Sequence, residues 1–199
     1  MFSPVGPWPR VSHRIARRSI AASGGEVVAE AFLPFGVGDY SRVIDTLHAE
    51  RVDAVLISMV GQDAVDFNRA FGRAGLHRRT LRLSCAIEEN HLLAIGAENT
   101  DDLYVAMGYF SALETEANLA FKERYHGRFG DRAPVLNTIG QSLYEGMHFL
   151  AALLEDGQSG PVHRPVSARF GDSCAIGGDQ APIYLALADG LAFRVITHF

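Results

Sequence analysis

Hydrophobic residues along the chain alternate between helical spacing and short continuous runs, which is the order expected of strands joined by helices. Pro9 is well placed to begin a first helix that ends at Gly24, with Val11, Ile15 and Ala16 as its buried stripe. The same stretch is rich in arginine and serine and has no acid, which is also the composition of an organellar transit peptide. We prefer the first helix.

Four apolar runs predict strands. The run at 26–35 is β-branched and ends in a turn that contains Pro34 and Gly36. The run at 53–59 is continuous, which is typical of a strand buried on both faces of a parallel sheet. Strands are also predicted at 81–86 and 103–109.

Helical spacing fills the intervals between these runs. One helix is predicted to begin at Asp39 or Ser41. Four further helices are predicted at roughly 61–74, 88–95, 114–126 and 139–154. The last is the clearest helix in the chain, and half-buried His148 is expected beside its apolar stripe. That stripe is predicted to be buried and consists of Ile139, Leu143, Met147, Leu150 and Leu154.

The composition changes after residue 157, where Gly, Pro and Ser become frequent. Short strands are predicted at 183–188 and 191–197, around the turn Asp189-Gly190. The whole pattern predicts an α/β fold, with a parallel sheet covered by helices on both faces and a β-rich C-terminal tail. Ligand sites in such sheets lie at the carboxyl ends of the strands, so attention falls on 58–62, 85–88 and 108–110.

Composition excludes several classes of function. The 199 residues carry a net charge of −5 and a pI near 5.9, which gives no basic surface for nucleic acid. No apolar run is long enough to cross a membrane, and residues 1–25 lack the apolar centre of a secretory signal, so we expect a soluble, cytoplasmic protein without membrane insertion. Cys85 and Cys174 form no CxxC motif, and a single disulfide between them stays open.

Motifs for metal binding and catalysis are weak. Glu88 with His91 and Glu145 with His148 have the Glu-x-x-His spacing of di-iron sites, but such sites need four long helices rather than an alternating α/β pattern. There is no G-x-S-x-G elbow, and Cys85 has no supporting signature. We therefore expect no metal, no cofactor and no enzyme activity.

Three stretches resemble the type 1 periplasmic-binding-protein family. They are residues 8–47 (with GGEVVAEAFLPFGVGDYSRVI), 52–76 (VDAVLISMVGQDAVDFNRAFGRAGL) and 108–130 (GYFSALETEANLAFKERYHGRFG). The resemblance is to the branch of amide-sensing regulators of aliphatic amidase expression and of urea and short-chain amide transporter proteins. It implies that 1–157 form the second ligand-binding lobe, that most of a first lobe is missing, and that 158–199 form a tail crossing back toward it.

Matching positions in the resemblance imply which residues face the ligand cleft. Hydroxyl, amide and carboxylate groups among them suit a short amide, whose carbonyl accepts and whose NH₂ donates hydrogen bonds. Relatives often carry Ser or Thr where this chain has Cys85 and Ala86, which leaves the ligand's identity open. The candidate ligand-binding residues are Ser58, Val60, Gly61, Gln62, Cys85, Ala86, Glu88 and Tyr109.

Three hypotheses of function follow from the resemblance. The first is a cytoplasmic sensor that binds a short amide or a urea-like solute and regulates amide or nitrile metabolism through a partner protein. The second is the substrate-binding component of a urea, amide or branched-chain amino acid ABC transporter, delivering its solute to a permease and lying in the periplasm if a signal peptide and first lobe precede it. The third is a non-functional truncated fragment. A homodimer is left open.

Overall fold

All the strands that the computed structural model describes lie in one sheet; it describes residues 1–4, 6–157, 184–189 and 192–196. The strands are β1 Phe2–Pro4, β2 Ala31–Leu33, β3 Ala54–Ile57, β4 Leu81–Ser84, β5 Leu103–Met107, β6 Tyr184–Asp189 and β7 Ala192–Ile196. The helices are α1 Pro7–Ala22, α2 Ser41–Glu50, α3 Gly61–Arg73, α4 Glu89–Ile95, α5 Glu116–Phe129 and α6 Thr138–Gly157, with 3₁₀ turns at Leu76–Arg78, Ala97–Asn99 and Gly130–Arg132.

The strands have the order β2-β1-β3-β4-β5-β6-β7. β1 to β5 are parallel, and β6 and β7 continue the sheet as an antiparallel pair beside β5. The predicted parallel α/β fold with a β-rich C-terminal part is therefore confirmed. Because β1 lies between β2 and β3, the chain first passes from β1 to β2 on one side of β1. It then crosses back to β3 on the other side, and the sheet grows in that direction.

Two faces of the sheet are packed differently. Val55 and Ile57 of β3 point into the hydrophobic core under α2, α3 and α4, whereas Leu56 between them is only half-buried. α1 lies on the opposite face, where His13 packs on Phe32 of β2 with ring centroids 5.1 Å apart. The prediction that 53–59 is buried on both faces is thus wrong for the second face, because the side chains on that face have incomplete cover.

A buried arginine connects the packed face. Arg82 on β4 donates from Nη1 to Asn68 Oδ1 of α3 at 2.7 Å and from Nη2 to the carbonyl oxygen of Asp101 at 2.6 Å. Its guanidinium lies 4.7 Å from the ring centroid of Phe71, and burial lowers its pKa to about 10. Arg82 thus joins α3, β4 and the approach to β5, which the sequence analysis did not anticipate.

The first helix forms, but its buried side differs from the predicted one. Val11 and Ile15 are exposed and Ala16 is half-buried, while Pro9 and His13 are buried. His13 faces the edge strand and shares a hydrogen bond at 3.0 Å between its Nδ1 and Glu30 Oε1. The predicted apolar stripe is therefore wrong, because a polar pair occupies the contact with β2.

The strand predicted at 26–35 is shorter than expected. β2 pairs residue for residue with β1, from Phe2 with Ala31 to Pro4 with Leu33, so the three-residue partner limits its length. Residues 26–30 lie outside any strand. β3, β4 and β5 lie within their predicted ranges, whereas β1 was not predicted.

The longest predicted helix also forms, but without burial of its stripe. Ile139 of α6 is 73% exposed and Leu143 is 67% exposed; Met147 and Leu150 are exposed as well. His148 is exposed rather than half-buried. The side chain of Leu154, the turn residue Gly190 and the tail at 158–183 lie outside the described residues, and the division into a lobe and a tail stays a prediction.

Candidate functional site

The carboxyl ends of β1 to β5 lie along one edge of the sheet, and helices begin from this edge. Connections from β1 and β2 run in opposite directions, so the order of strands reverses between β1 and β3. In open parallel sheets a crevice forms outside the carboxyl ends at such a point, and ligands bind there. The predicted segments 58–62, 85–88 and 108–110 all lie along this edge.

The segment after β3 presents four of the predicted residues. Ser58 is 1% exposed and its Oγ has no hydrogen-bond partner. Val60 is exposed at the start of α3, and Gly61 adopts the left-handed conformation, with φ 58°, that suits glycine. Gln62 is exposed, and its Nε2 donates to Asp66 Oδ1 at 2.9 Å within α3. Of the polar side chains among these four, only that of Ser58 is unpaired.

Asp63, which the sequence analysis missed, anchors a neighbouring loop at the same edge. Its carboxylate accepts hydrogen bonds from the backbone N–H of Gly36 at 3.0 and 3.1 Å and from the hydroxyl of Tyr40 at 2.9 Å. Burial, together with Asp63, raises the pKa of Tyr40. The loop after β2 is thereby fixed beside the start of α3, with the exposed ring of Phe35 at its tip.

The segment after β4 presents three predicted residues. Cys85 is an exposed free thiol, while Cys174 lies outside the described residues. Ala86 is half-buried, and its N–H donates to Ser84 Oγ at 3.3 Å. Glu88 precedes α4, is only 6% exposed, and its Oε1 has no hydrogen-bond partner. The backbone N–H of Glu88 donates to His91 Nδ1 at 3.1 Å, so this Glu-x-x-His pair serves the start of a helix.

Glu89 is a second buried carboxylate that sequence reasoning missed. Its Oε1 accepts a hydrogen bond from the backbone N–H of Ser111 at 2.6 Å, which ties α4 to the loop after β5. Burial raises the pKa of Glu89 even though this hydrogen bond acts in the opposite direction. In the sequence, a glutamate at the start of a helix looks the same whether it is exposed or, like Glu89, buried and hydrogen-bonded to a loop.

Tyr109, the predicted residue after β5, is buried and already paired. Its hydroxyl donates to Asn118 Oδ1 at 2.9 Å, and its ring packs edge-on against Phe121. Burial raises its pKa to about 12. Asn118 in turn donates from Nδ2 to the carbonyl oxygens of Ser111 and Leu113, so Tyr109 belongs to a network that shapes this loop.

An open groove of about 510 Å³ is lined by residues of α5 and α6 and by Tyr109. Thr138 is among the lining residues, and its Oγ1 donates to the carbonyl oxygen of Tyr109 at 3.1 Å. Tyr109 is the one predicted ligand residue that lines it. The other lining residues are Gly108, Leu113, Thr115, Ala117, Asn118, Phe121, Arg124, Thr138, Gln141, Ser142, Tyr144 and Glu145.

The structure therefore places all eight predicted residues on one edge but gives them different roles. Ser58 and Glu88 are buried, and each has a side-chain oxygen without a hydrogen-bond partner. The side chains of Gln62 and Tyr109 form hydrogen bonds within the protein. The remaining four, Val60, Gly61, Cys85 and Ala86, have small side chains or none. Trp8 follows β1 at the same edge and is partly exposed, but its short proline-flanked strand gave no sequence signal. Within the described residues there is no group of three or more His, Cys, Asp or Glu side chains placed to hold a metal ion, and no helix is long and apolar enough to cross a membrane.

A doubly wound sheet with polar side chains at its carboxyl edge has the arrangement in which α/β proteins bind small molecules. The model of the family described as periplasmic binding protein matches residues 1–167, and the chain belongs to that family.

Solved structures show the same fold at low sequence identity. An amino acid ABC transporter substrate-binding protein from Pseudomonas fluorescens Pf-5 is 13% identical with a TM-score of 0.77; the match covers 98% of this chain and 57% of that one. A branched-chain amino acid ABC transporter protein from Thermus thermophilus with bound valine is 14% identical (TM-score 0.76, covering 98% and 58%). A solute-binding protein from R. palustris in complex with benzoate is 16% identical (TM-score 0.71, covering 98% and 56%).

These matches define what is established for the chain. It belongs to the family described as periplasmic binding protein, and it has the fold of solved ABC transporter substrate-binding proteins. It spans little more than half the length of the solved structures it resembles. Neither the amide and urea branch nor a cytoplasmic location gains support from the matches.

Proposed function

We propose that this chain is the ligand-binding lobe of a substrate-binding component of an ABC transporter, and that it binds a small polar solute at the carboxyl edge of the sheet. One observation carries the proposal. Ser58 Oγ and Glu88 Oε1 are buried and unpartnered at the edge where the topology places a crevice. The family of the chain and the transporter proteins with the same fold support it.

The energetics of buried polar groups explain why these two atoms point to a ligand. A buried donor or acceptor without a partner costs about 1–3 kcal/mol. Three other buried atoms in the described part are also unpaired, on His13, His77 and Arg82, but they lie away from the carboxyl edge. A solute that pairs with Ser58 and Glu88 would recover the cost of both.

A second wall is part of the proposal, because pockets enclose most of a small ligand's surface. The resemblance predicts a first lobe opposite this edge. The exposed apolar stripe of α6 supports such a cover, since a contiguous exposed apolar surface is typical of an interaction site. In a protein with both lobes the solute would lie between them and be delivered to a permease, with the periplasm as its location.

The resemblance to the amide and urea branch supports a short aliphatic amide or urea as the solute. Ser58 can donate to a carbonyl oxygen, and a carboxyl oxygen of Glu88 can accept from an NH₂ group. The sensor of amide metabolism uses the same ligand chemistry but has no structural feature of its own in its favour. We therefore place the amide within the transporter function.

Thermal unfolding of the 199-residue chain with millimolar acetamide, butyramide, urea, valine and benzoate tests the function. A ligand that binds only the folded state raises the midpoint temperature of unfolding. At a ligand concentration of 100 Kd the free energy of unfolding increases by about 2.7 kcal/mol. We expect one solute to raise the midpoint, Ser58→Ala to abolish the shift, and Ser19→Ala on exposed α1 to keep it. No shift with any solute, or an unchanged shift in Ser58→Ala, would contradict the proposal.

A further inference from the structure

We propose that the outer face of α1 binds the surface of an anionic lipid bilayer. This face carries an apolar stripe, formed by Trp8, Val11 and Ile15, beside several arginines. The three apolar side chains recur at helical spacing, and they are 45%, 49% and 58% exposed. The described part of the chain therefore leaves the stripe without cover.

The opposite side of α1 fixes the helix on the sheet. Pro9 and His13 are buried there, and the His13 ring packs on Phe32 of β2 with centroids 5.1 Å apart. Nδ1 of His13 also shares a hydrogen bond with Glu30 Oε1 at 3.0 Å. Since these contacts hold α1 in the folded protein, its outer face can meet a surface without any unfolding of the helix.

The four arginines of α1 differ in what they contact. Arg10 lies over the same β2 ring, 4.3 Å from its centroid, and Arg17 donates to the same carboxylate at 3.1 Å. Arg14 and Arg18 are exposed and form no ion pair within the described residues. Each of these two lies three positions after an apolar residue of the stripe, so two free positive charges border the apolar surface.

This combination of charge and apolar surface favours a lipid partner. Residues 1–25 contain four arginines and no acid, although the chain as a whole has a net charge of −5. A helix that lies in the plane of a membrane interface buries apolar side chains at the boundary of headgroups and acyl chains, while basic side chains contact anionic lipids. Tryptophan is enriched at this boundary. A nucleic acid would attract the arginines but would leave the apolar stripe exposed.

Binding of this kind is peripheral. None of the described helices is long and apolar enough to cross a membrane, and three apolar side chains can reach only the interface. With so small an apolar contact the affinity depends on the arginines, so it should fall when salt screens their charges. Membrane binding through α1 does not depend on a solute, and its test is valid whether or not the proposed function holds.

Trp8 is the single tryptophan of the 199 residues and serves as the probe of the experiment. The full chain is titrated, without solute, with vesicles of phosphatidylglycerol and phosphatidylcholine in equal parts and with vesicles of phosphatidylcholine alone. We expect the emission of Trp8 to shift to shorter wavelength, and the protein to sediment, with the anionic vesicles only. Salt at about 0.5 M, where the screening length is about 4 Å, should weaken this binding at least tenfold.

A double variant tests the two free charges. Arg14→Gln with Arg18→Gln keeps the apolar stripe and should bind anionic vesicles at least tenfold more weakly, since each arginine near such a surface contributes about fivefold. Arg69→Gln with Arg73→Gln is the matched control, because it removes two exposed arginines at the same spacing from α3. This control should bind like the wild type.

Three results would overturn the proposal. The first is the absence of a Trp8 shift and of sedimentation with anionic vesicles. The second is equal binding to the neutral vesicles, which would exclude a role for charge. The third is an equal loss of binding in the α1 and α3 double variants, which would indicate attraction by overall charge rather than by one face. The comparison of lipids and of salt in the wild type tests the proposal even if a variant does not fold.

Discussion

α3 and α6 have the same kind of sequence pattern and opposite environments. Both carry apolar residues at helical spacing, and both form helices where that spacing predicts them. Phe67 and Phe71 of α3 are fully buried, whereas Ile139 and Leu143 of α6 are mostly exposed. Periodicity therefore predicts which side chains share one face of a helix, but not whether another element covers that face.

The difference comes from the neighbours of each helix. α3 packs between α2, α4 and the sheet, and Phe67 contacts the ring of Tyr40 edge-on with centroids 5.6 Å apart. α6 packs on α5 through Tyr144, whose ring centroid lies 4.6 Å from that of Phe121. The apolar stripe lies on a different side of α6 from Tyr144, and its side chains are exposed in the described part of the chain.

The largest expected effect is that of Phe67→Ala on α3. Truncation of a buried aromatic side chain removes its contacts and leaves a cavity, which costs about 3–5 kcal/mol. We expect a loss of this size in the free energy of unfolding, measured by urea denaturation. Phe129→Ala, at the exposed end of α5, is the matched control and should cost less than about 1 kcal/mol. Equal losses would mean that Phe67 of α3 is packed no more closely in solution than the exposed Phe129.

The second prediction compares two glycines, Gly72 on α3 and Gly146 on α6. A Cβ at Gly72 would overlap the side chain of Asn99, whereas a Cβ at Gly146 has no atom within 4 Å. We expect Gly72→Ala to destabilise by about 1–3 kcal/mol through overpacking. Gly146→Ala should stabilise by about 0.5–1 kcal/mol, because alanine favours the helix. Urea denaturation measures both, and a destabilising Gly146→Ala would show that α6 is closely packed.

The fold could be predicted from the sequence because it depends on local patterns. The apolar run at 53–59 and the helical spacing that ends at Gly75 each report on neighbouring residues, and both elements form where expected. β1 could not be predicted, since three residues among prolines carry no periodicity and its pairing with β2 and β3 is long-range. Burial of the α1 and α6 stripes failed for the same reason.

The candidate site shows a similar division. Strand ends are visible in the sequence, so the segments containing Ser58 and Glu88 could be located at the carboxyl edge. Which polar atoms stay unpaired could not be predicted, because Tyr109 is satisfied by Asn118 and Glu89 by Ser111, across loops that the sequence does not place together. Hydrogen-bond satisfaction depends on distances of a few tenths of an ångström.

The third prediction concerns Leu143→Gln in the exposed stripe of α6. An exposed substitution changes stability by less than about 0.5 kcal/mol, so the unfolding of the chain should be nearly unaltered. The variant should also associate less with itself than the wild type at high concentration, since it interrupts a contiguous apolar surface. Sedimentation velocity measures this association. A loss above about 2 kcal/mol would instead show that the stripe is buried in solution.

The smallest expected effect is that of Glu89→Gln at the start of α4, which shows whether every buried group of the packed region favours stability. Burial raises the pKa of Glu89, so its ionised form is disfavoured in the folded state relative to the unfolded state. The wild type therefore loses stability as the pH rises through the ordinary range of a glutamate, from about pH 4. Glu89→Gln cannot ionise and keeps a carbonyl oxygen to accept the Ser111 N–H. Relative to wild type, its free energy of unfolding should thus increase between about pH 4 and pH 7.

Urea denaturation across this range measures the difference, with exposed Glu123→Gln as the control. The opposite result would be a wild type whose free energy of unfolding increases relative to that of Glu89→Gln as the pH rises. It would mean that the surroundings stabilise the ionised carboxylate, so that the charge of Glu89 helps to hold the loop after β5.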